Sequence, residues 1–205
     1  MVLFFPERRL FGMNRDMETT IAGVRLKNPV TTASGTFGSG REYGDLIDLN
    51  HLGAITVKGV SDEAWKGNPV PRIAETSNGL LNSVGLQNAG AKHFIENDIP
   101  FLRQYDTKII VNICGHTLAQ YCSVAERFVD CDIDLLELNI SCPNVEEGGL
   151  NFGTDPHVVE RVVSAVRHYA KQPLIVKLSP EVSDITEIAK AAVSGGADAI
   201  SLINT

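Results

Sequence analysis

The chain has 205 residues, a length that favours a single domain. Hydrophobic residues make up 43% of it, enough for a packed core, and the formal net charge of −7 argues against a nucleic-acid binder, whose surface is normally basic. No apolar run approaches the ~20 residues that a membrane-spanning helix needs. The apolar run at 2–5 is too short for a signal peptide and has no basic residue before it. We therefore expect a cytoplasmic protein with reduced thiols that binds neither nucleic acid nor membrane.

The first residues differ from the rest of the chain. Residues 1–12 fit no later pattern, and Met13 resembles a natural start. We expect 1–12 to be a disordered or artefactual extension and 13–205 to form the domain. Within that domain, 21–26 is predicted to be a short hairpin that caps one end.

Apolar segments alternate with helical patterns through the remainder of the chain. The predicted strands are 28–33, 53–59, 108–113, 135–138, 173–178 and 199–205. The predicted helices cover 43–49, begin near Thr117 and Pro156, and run from Ser183 to the glycine pair at 195–196. The connection from 60 to about 107 is too long for a plain loop, which predicts a functional segment. Strands that are apolar throughout indicate a parallel sheet covered by helices.

Two parallel folds compete, and the polar residues choose between them. A doubly wound sheet favours G-x-G-x-x-G after its first strand, which Gly35-Thr-Phe-Gly38 does not match. A (β/α)₈ TIM barrel places polar residues at the ends of many strands, and a complete one has eight strands and about 250 residues. Here six successive strands carry such residues at or near their ends: Ser34, Lys58, Asn112, Asn139, Lys177 and Asn204. We predict an α/β fold that is an incomplete barrel of about six β/α units.

The stretch after the fourth of these strands has the composition of a catalytic loop. Cys142 precedes a proline, lies between Asn139 and Asn144, and is followed by glycines at 148 and 149. A thiol titrates close enough to neutrality to act as a base, and flanking glycines would let the loop open and close. The other cysteines, 114, 122 and 131, are expected to be small apolar residues. Cys114-Gly-His116 is half of a metal-binding pattern without a second half, so no metal is predicted.

Lysines and amides suggest a polar ligand. Lys58 and Lys177 interrupt buried strands, where a lysine needs an ion partner or an anion. The run 79–88 carries Asn and Gln side chains that suit a ligand with amide edges, although a surface turn explains it equally well. The glycines at 35, 38 and 40 allow close approach of a flat ligand, or only a flexible turn.

From Met13 to Thr205 the chain resembles the dihydroorotate dehydrogenases of the NAD-linked, two-protein type (class 1B). The motifs that carry the resemblance are Ala33-Ser-Gly-Thr-Phe-Gly, Val57-Lys-Gly, Asn82-Ser-Val-Gly-Leu-Gln-Asn, Asn139-Ile-Ser-Cys-Pro-Asn-Val, Gly148-Gly with Phe152-Gly, Val176-Lys-Leu-Ser-Pro and Leu202-Ile-Asn-Thr. Their length and order make the resemblance specific. A cysteine base separates the chain from the membrane-associated class, and the Gly148-Gly and Phe152-Gly pairs favour class 1B over the fumarate-linked class.

The resemblance implies a flavoenzyme of pyrimidine biosynthesis that oxidises dihydroorotate to orotate. Cys142 would take the C5 proton while FMN takes hydride from C6, and Lys177 would stabilise negative charge on the reduced flavin. The implied FMN contacts are Ser34, Lys58, Gly59, Asn112, Asn139, Lys177 and Ile203. The implied substrate contacts are Lys58, Asn82, Ser83, Val84, Gly85, Leu86, Asn139, Asn204 and Thr205.

The resemblance also implies partners and further chain. Electrons would pass to NAD⁺ through a partner subunit that holds FAD and a 2Fe-2S cluster, with the catalytic subunit as a homodimer inside a heterotetramer. Family members continue into two more strands and an FMN phosphate site, so we expect this polypeptide alone to bind FMN weakly or not at all.

Three alternatives remain open. A dihydropyrimidine dehydrogenase-like flavoenzyme also uses a loop cysteine, and comparison of dihydroorotate with dihydrouracil turnover would separate the two. A tRNA dihydrouridine synthase is disfavoured by the acidic charge. A catalytically inactive, truncated fragment is the alternative from a different class, and the mass of the native protein would test it.

Overall fold

The computed structural model describes residues 17–140, 146–147 and 150–203, with side chains at all of these except 146, 147, 150 and 151. The extension predicted at 1–12 lies outside the described residues. The strands are β1 Thr19–Ile21, β2 Val24–Leu26, β3 Ala54–Thr56, β4 Ile73–Thr76, β5 Gly79–Asn82, β6 Lys108–Ile113, β7 Leu135–Asn139, β8 Glu146–Glu147, β9 Leu150–Asn151, β10 Leu174–Lys177 and β11 Ala199–Ser201. The helices are α1 Arg41–Gly44, α2 Gly90–His93, α3 Ile99–Leu102, α4 Leu118–Arg127, α5 Pro156–Tyr169 and α6 Ile185–Ser194. A 3₁₀ turn covers Leu49–His51, and a π-helical turn at Phe94–Asp98 joins α2 to α3.

The central sheet winds in one direction only. Within the described residues it has five parallel strands in the order β3, β6, β7, β10, β11, so each strand lies beside its predecessor among these five. A doubly wound sheet reverses its strand order, and this one does not. Residues 31–34 at one edge and 199–203 at the other line a common cavity of about 200 Å³. The sheet therefore curls into an incomplete (β/α)₈ barrel, as the polar strand ends predicted.

The two faces of the sheet have different cores because side chains alternate along each strand. Outward-facing residues such as Val111, Leu136 and Val176 belong to the large core that also includes residues of α4, α5 and α6. A smaller inner cluster holds Leu26, Ala54, Ile110, Leu135 and Ile175. Leu26 ends the antiparallel hairpin of β1 and β2, so the prediction that 21–26 caps one end of the domain is confirmed.

The first predicted strand, 28–33, is wrong as a full strand. It forms a single parallel bridge, between Thr31 and Ala54. Pro29 has no N–H to donate. At Thr32 the side-chain oxygen, not the backbone, accepts the N–H of Thr56 at 2.9 Å, and its hydroxyl donates back to the Thr56 carbonyl at 3.1 Å. The segment still occupies the edge position beside β3.

The helices were predicted best where a cap marks the first residue. Thr117, Asp155 and Asp184 each accept a backbone N–H at the start of α4, α5 and α6. The helix predicted at 43–49 is wrong, since α1 ends at Gly44. The connection from 60 to 107 contains the β4–β5 hairpin and the continuous helical segment from Gly90 to Leu102, neither of which was predicted. No helix within the described ranges is long and apolar enough to cross a bilayer.

Candidate functional site at the carboxyl ends of the strands

Polar side chains replace apolar ones as the inner face of the sheet nears the carboxyl ends of its strands. The inner residues change from Ile110 to Asn112 in β6, from Leu135 to Glu137 in β7 and from Ile175 to Lys177 in β10. Thr56 in β3 and Ser201 in β11 complete the same end of the sheet. In a parallel barrel this end carries the ligand site.

Glu137 joins three strands through hydrogen bonds. Its carboxylate accepts from Asn112 Nδ2 at 2.8 Å on one oxygen and from Ser201 Oγ at 2.7 Å on the other. Glu137 and Asn112 are both buried, at 6% and 0% exposed. Asn112 Oδ1 has no hydrogen-bond partner, although it is buried. A buried acceptor left without a donor costs about 1–3 kcal/mol, so this oxygen is suited to a ligand N–H.

Lys177 is a buried lysine without a counter-ion among the described residues. Its side chain lies between Asn139 of β7 and Ser201 of β11 in the strand register. Only 9% of the residue is exposed, and no hydrogen bond or ion pair to its ammonium is found in the part of the chain described. An isolated buried ammonium is costly, which indicates an anionic or electron-rich ligand at this position.

Lys58 occupies a second, partly open position. It follows β3, where its backbone N–H leaves the sheet and donates to the Gly38 carbonyl at 2.9 Å. Burial lowers the pKa of Lys58 below its ordinary value of 10.5, the positive charge of Arg72 lowers it further, and Cys114 opposes the shift. An amine with a lowered pKa gains most from an anion that restores its charge.

Gly59 is a glycine because of its neighbours. A Cβ at this position would stand 3.1 Å from Asn112 Oδ1 and 3.2 Å from Cys114 Sγ. A side chain at position 59 would therefore crowd the unpartnered Asn112 oxygen. This fits a site in which a flat group approaches the backbone closely.

The catalytic loop predicted around Cys142 is anchored at both ends, although Cys142 itself lies outside the described residues. Before the loop, the Tyr121 hydroxyl donates to the Asn139 carbonyl at 2.7 Å. After it, Phe152 is buried against Tyr121, and a Cβ at Gly153 would stand only 2.4 Å from the Ile140 carbonyl oxygen. The backbones of Ile140 and Gly153 therefore lie close together.

The predicted flavin contacts fall into three groups. Ser34, Lys177 and Ile203 line the cavity of about 200 Å³ inside the curled sheet. Lys58 and Gly59 line another cavity of about 300 Å³ with Gly38 and Asn88. Asn112 and Asn139 lie buried in β6 and β7. Within the described residues, all seven predicted contacts are at or beyond the carboxyl ends of strands.

The predicted substrate run, 82–86, lies apart from both cavities. It lines neither, and Asn82 and Ser83 are exposed. Asn68 holds the run by donating to Ser83 Oγ at 2.8 Å and through its own N–H to the Val84 carbonyl at 3.1 Å. Positive φ at Gly85 and Leu86 turns the chain there. Asn204 and Thr205 lie outside the described residues.

Three residues that contribute to the site were not predicted to do so. Glu137 carries the same signal that identified Lys177, a charged residue inside an apolar strand, and the same reasoning would have found it. Ser201 and Tyr121 carry no such signal, because a serine near a strand end and a tyrosine on the apolar face of a helix are common. Among the described residues no group of three or more His, Cys, Asp or Glu is arranged to hold a metal ion.

These observations define an incomplete α/β barrel with a ligand site at the carboxyl ends of its strands. The family model for dihydroorotate dehydrogenase matches residues 16–205, and the chain belongs to that family. It is 70% identical over 191 residues to the protein of Alkaliphilus oremlandii named dihydroorotate dehydrogenase B (NAD(+)), catalytic subunit. Proteins of the same name from Alkaliphilus metalliredigens and Lachnoclostridium phytofermentans are 70% and 63% identical.

The matches cover nearly all of this chain but less than two thirds of each relative. They span 93% of the chain for the two Alkaliphilus proteins and 91% for the Lachnoclostridium protein. The chain spans 63%, 63% and 62% of the length of these three relatives. The name "catalytic subunit" implies that those proteins work with another subunit.

Proposed function

We propose that this chain provides the flavin- and substrate-binding part of a cytoplasmic dihydroorotate dehydrogenase that oxidises dihydroorotate to orotate in pyrimidine biosynthesis. The proposal is carried by two buried groups at the carboxyl end of the sheet, the Lys177 ammonium and the Asn112 side-chain carbonyl, which have no partner within the described ranges. A flavin meets both needs, because its ring carries an imide N–H and gains negative charge when it is reduced. The residues present therefore fit FMN.

The chain's own groups have distinct roles in this proposal. Cys142 removes the proton from C5 of dihydroorotate as the C5–C6 double bond forms. Lys177 offsets negative charge next to the ring, and Lys58 pairs with the substrate carboxylate or the flavin edge. Bound FMN supplies a hydride acceptor for the hydrogen on C6. The buried ends of β6 and β7 exclude water from this part of the site.

The partner and the electron acceptor come from the relatives' names and from the resemblance. We propose that two electrons pass from the flavin to NAD⁺ through a second subunit that holds FAD and a 2Fe-2S cluster. The catalytic subunits would form a homodimer within a heterotetramer. Co-purification of the native protein with a subunit that shows iron–sulfur absorbance would support this arrangement, and isolation of the active protein without one would contradict it.

Anaerobic reduction tests the central proposal. The complete native protein is expected to carry bound flavin, and dihydroorotate without any acceptor is expected to bleach its visible absorbance. Cys142→Ala should leave flavin binding intact and slow the bleaching by at least a hundredfold, because a positioned base contributes roughly 10²–10⁴-fold. A native protein without flavin, or one that dihydroorotate does not reduce, would contradict the proposal.

The dihydropyrimidine dehydrogenase-like alternative is separated by the substrate. Dihydroorotate carries a carboxylate and dihydrouracil does not, so an ion pair with Lys58 predicts faster reduction by dihydroorotate. Lys58→Met should abolish most of that preference. Faster reduction by dihydrouracil would favour the alternative.

A further inference from the structure

Glu137 has a place in the site that the proposed reaction does not use. It lines the inner cavity with Lys177 and Ser201, yet both of its oxygens are engaged by protein donors. Its carboxylate accepts one hydrogen bond from the Asn112 side-chain amide and one from the Ser201 hydroxyl. A carboxylate is an acceptor only, so each of those partners must turn its hydrogen towards Glu137.

These two hydrogen bonds fix which ends of the Ser201 and Asn112 side chains donate and which accept. Ser201 commits its one hydroxyl proton to Glu137, which leaves only oxygen lone pairs for anything else in the cavity. Asn112 turns its amino group towards Glu137, so its carbonyl oxygen is the opposite end of the amide, and that oxygen has no donor among the described residues. Glu137 thus fixes the Ser201 hydroxyl and the far end of the Asn112 amide as hydrogen-bond acceptors.

Lys177 has the opposite polarity. An ammonium is a donor only, and Lys177 is the register partner of Ser201 on the adjacent strand. The cavity therefore presents a donor beside an acceptor, one strand apart. The complementary ligand edge has a carbonyl or ring nitrogen beside an N–H, which is the edge of a cyclic imide.

We propose that Glu137 is a positioning residue that sets this polarity, so that the site recognises the N–H of a cyclic imide. This inference rests on the proposed function, whose two ligands both contain the group: the flavin ring has an imide N–H between two carbonyls, and so does the pyrimidine ring of orotate. The shared chemistry is the imide N–H, and the experiment distinguishes the two sources.

The test measures discrimination rather than affinity alone. In the complete native protein, affinity is measured for FMN against N3-methyl-FMN and for orotate against N3-methylorotate. The wild-type protein should bind the recognised ligand at least a hundredfold more tightly than its N-methylated analogue, because the analogue leaves buried acceptors unpaired.

Glu137→Gln is the decisive variant. Glutamine has nearly the same shape but one donor end and one acceptor end, so either Ser201 or Asn112 must reverse its polarity. The ratio of the affinity for the unmethylated ligand to that for its N-methylated analogue should fall by about tenfold, which corresponds to the free energy of about one hydrogen bond. If Glu137 only supported the fold, its substitution would weaken binding of the ligand and of its N-methylated analogue equally, and the ratio would not change.

Ser201→Ala gives a second, smaller measurement that does not alter Glu137 itself. It removes one of the two acceptors, so the ratio should fall by a few-fold, and thermal unfolding confirms that both variants fold.

A fall in the flavin ratio assigns the polarity to the flavin, and a fall in the orotate ratio assigns it to the substrate. Unchanged ratios for both pairs in both variants would overturn the inference while leaving the proposed function standing. A wild-type protein that binds neither FMN nor orotate would instead overturn the proposed function, and the inference with it.

Discussion

The two ends of the parallel sheet are made by the same strands but treat charge in opposite ways. At the amino end, Asp134 accepts the Ile109 N–H at 2.9 Å and pairs with Arg103 and Lys108 at 2.9 and 3.0 Å. At the carboxyl end, Lys177 is only 9% exposed but has no partner among the described residues.

The amino end has the same arrangement two β/α units further along the barrel. Asp198, just before β11, accepts the Leu174 N–H at 2.8 Å and pairs with Arg167 at 2.9 Å. Each aspartate thus ties the start of a neighbouring strand to a cation. The amino end pairs its charges internally, whereas the carboxyl end has buried groups without a partner among the described residues. This division is expected of a barrel in which one face serves stability and the other serves binding.

Lys177→Met should produce the largest effect. It should weaken FMN binding and, at the same time, stabilise the ligand-free protein. In the complete native protein, loss of the ammonium should weaken FMN binding by about a hundredfold, because a buried charge interaction is worth roughly 2–3 kcal/mol. The ligand-free protein should become more stable by about 1–3 kcal/mol, because methionine removes an unpaired buried charge without leaving a void. Flavin titration and urea unfolding of the ligand-free protein measure the two quantities.

Lys108→Met is the matched control at the amino end. It breaks an ion pair with Asp134 on a side chain that is 40% exposed, so unfolding should become easier by less than about 1 kcal/mol and FMN affinity should not change. Equal loss of stability in both variants would contradict the contrast between the two ends.

Asp134→Ala should give the largest loss of stability. Its side chain is only 13% exposed and serves two cations and one backbone N–H, so its removal should lower the free energy of unfolding by about 2–3 kcal/mol. Flavin affinity should be unchanged where the protein is folded. Asp132→Ala is the control, because Asp132 is 76% exposed and its pairing with Arg103 should contribute little. Similar losses from both variants would show that the amino end has no special dependence on Asp134.

Sequence patterns predicted the barrel better than they predicted its loops. Apolar strands with polar residues at their ends are a long-range signal repeated six times, and Thr117 and Pro156 marked the starts of two helices locally. The third long helix was predicted from Ser183, one residue before its cap at Asp184. The prediction of a full strand at 28–33 was wrong, because hydrogen bonds of the Thr32 side chain replace part of the backbone pairing with β3. The helical segment from Gly90 to Leu102 was missed because Pro100 breaks its pattern, although a proline in the first turn of α3 is compatible with a helix.

The site was predicted in part for a related reason. Lys177 was found because a charge inside an apolar strand is conspicuous, and Asn112 because it is polar in the same setting. What the pattern did not reveal is how groups on different strands combine. The link from Asn112 through Glu137 to Ser201 spans 89 positions of sequence, from 112 to 201, and depends on the register of the sheet.

Tyr121→Phe should have a smaller effect at the carboxyl end. The hydroxyl of Tyr121 is fully buried and donates to the Asn139 carbonyl at 2.7 Å, so its loss should cost about 1 kcal/mol in urea unfolding. Because Asn139 lies three residues before Cys142, the rate of flavin reduction by dihydroorotate should fall more than flavin affinity does. Tyr169→Phe is the control on the exposed end of α5 and should change neither. Equal effects of the two substitutions on the reduction rate would contradict a role for Tyr121 in positioning the loop.

Lys58 gives the smallest effect and the one with the clearest pH dependence. Its pKa in the folded chain lies below the ordinary 10.5, chiefly because of burial. As pH rises through that lowered pKa, Lys58 loses its proton, so affinity for orotate should decline before pH 10.5 is reached. Stability of the ligand-free protein should respond in the opposite direction. Between the lowered pKa and 10.5 the unfolded chain binds more protons than the folded one, so the free energy of unfolding contributed by Lys58 rises with pH in that window.

Lys58→Met removes both dependences and leaves those of other groups in place. Orotate affinity and urea unfolding, measured across the same alkaline range for wild type and variant, separate the contribution of Lys58 from the remainder. At the amino end, the corresponding substitution at Lys108 should leave the alkaline decline in orotate affinity as steep as in the wild type. A wild-type affinity that stays constant up to pH 10.5 would mean that Lys58 does not meet an anion there, and the contrast between the two ends would then rest on Lys177 alone.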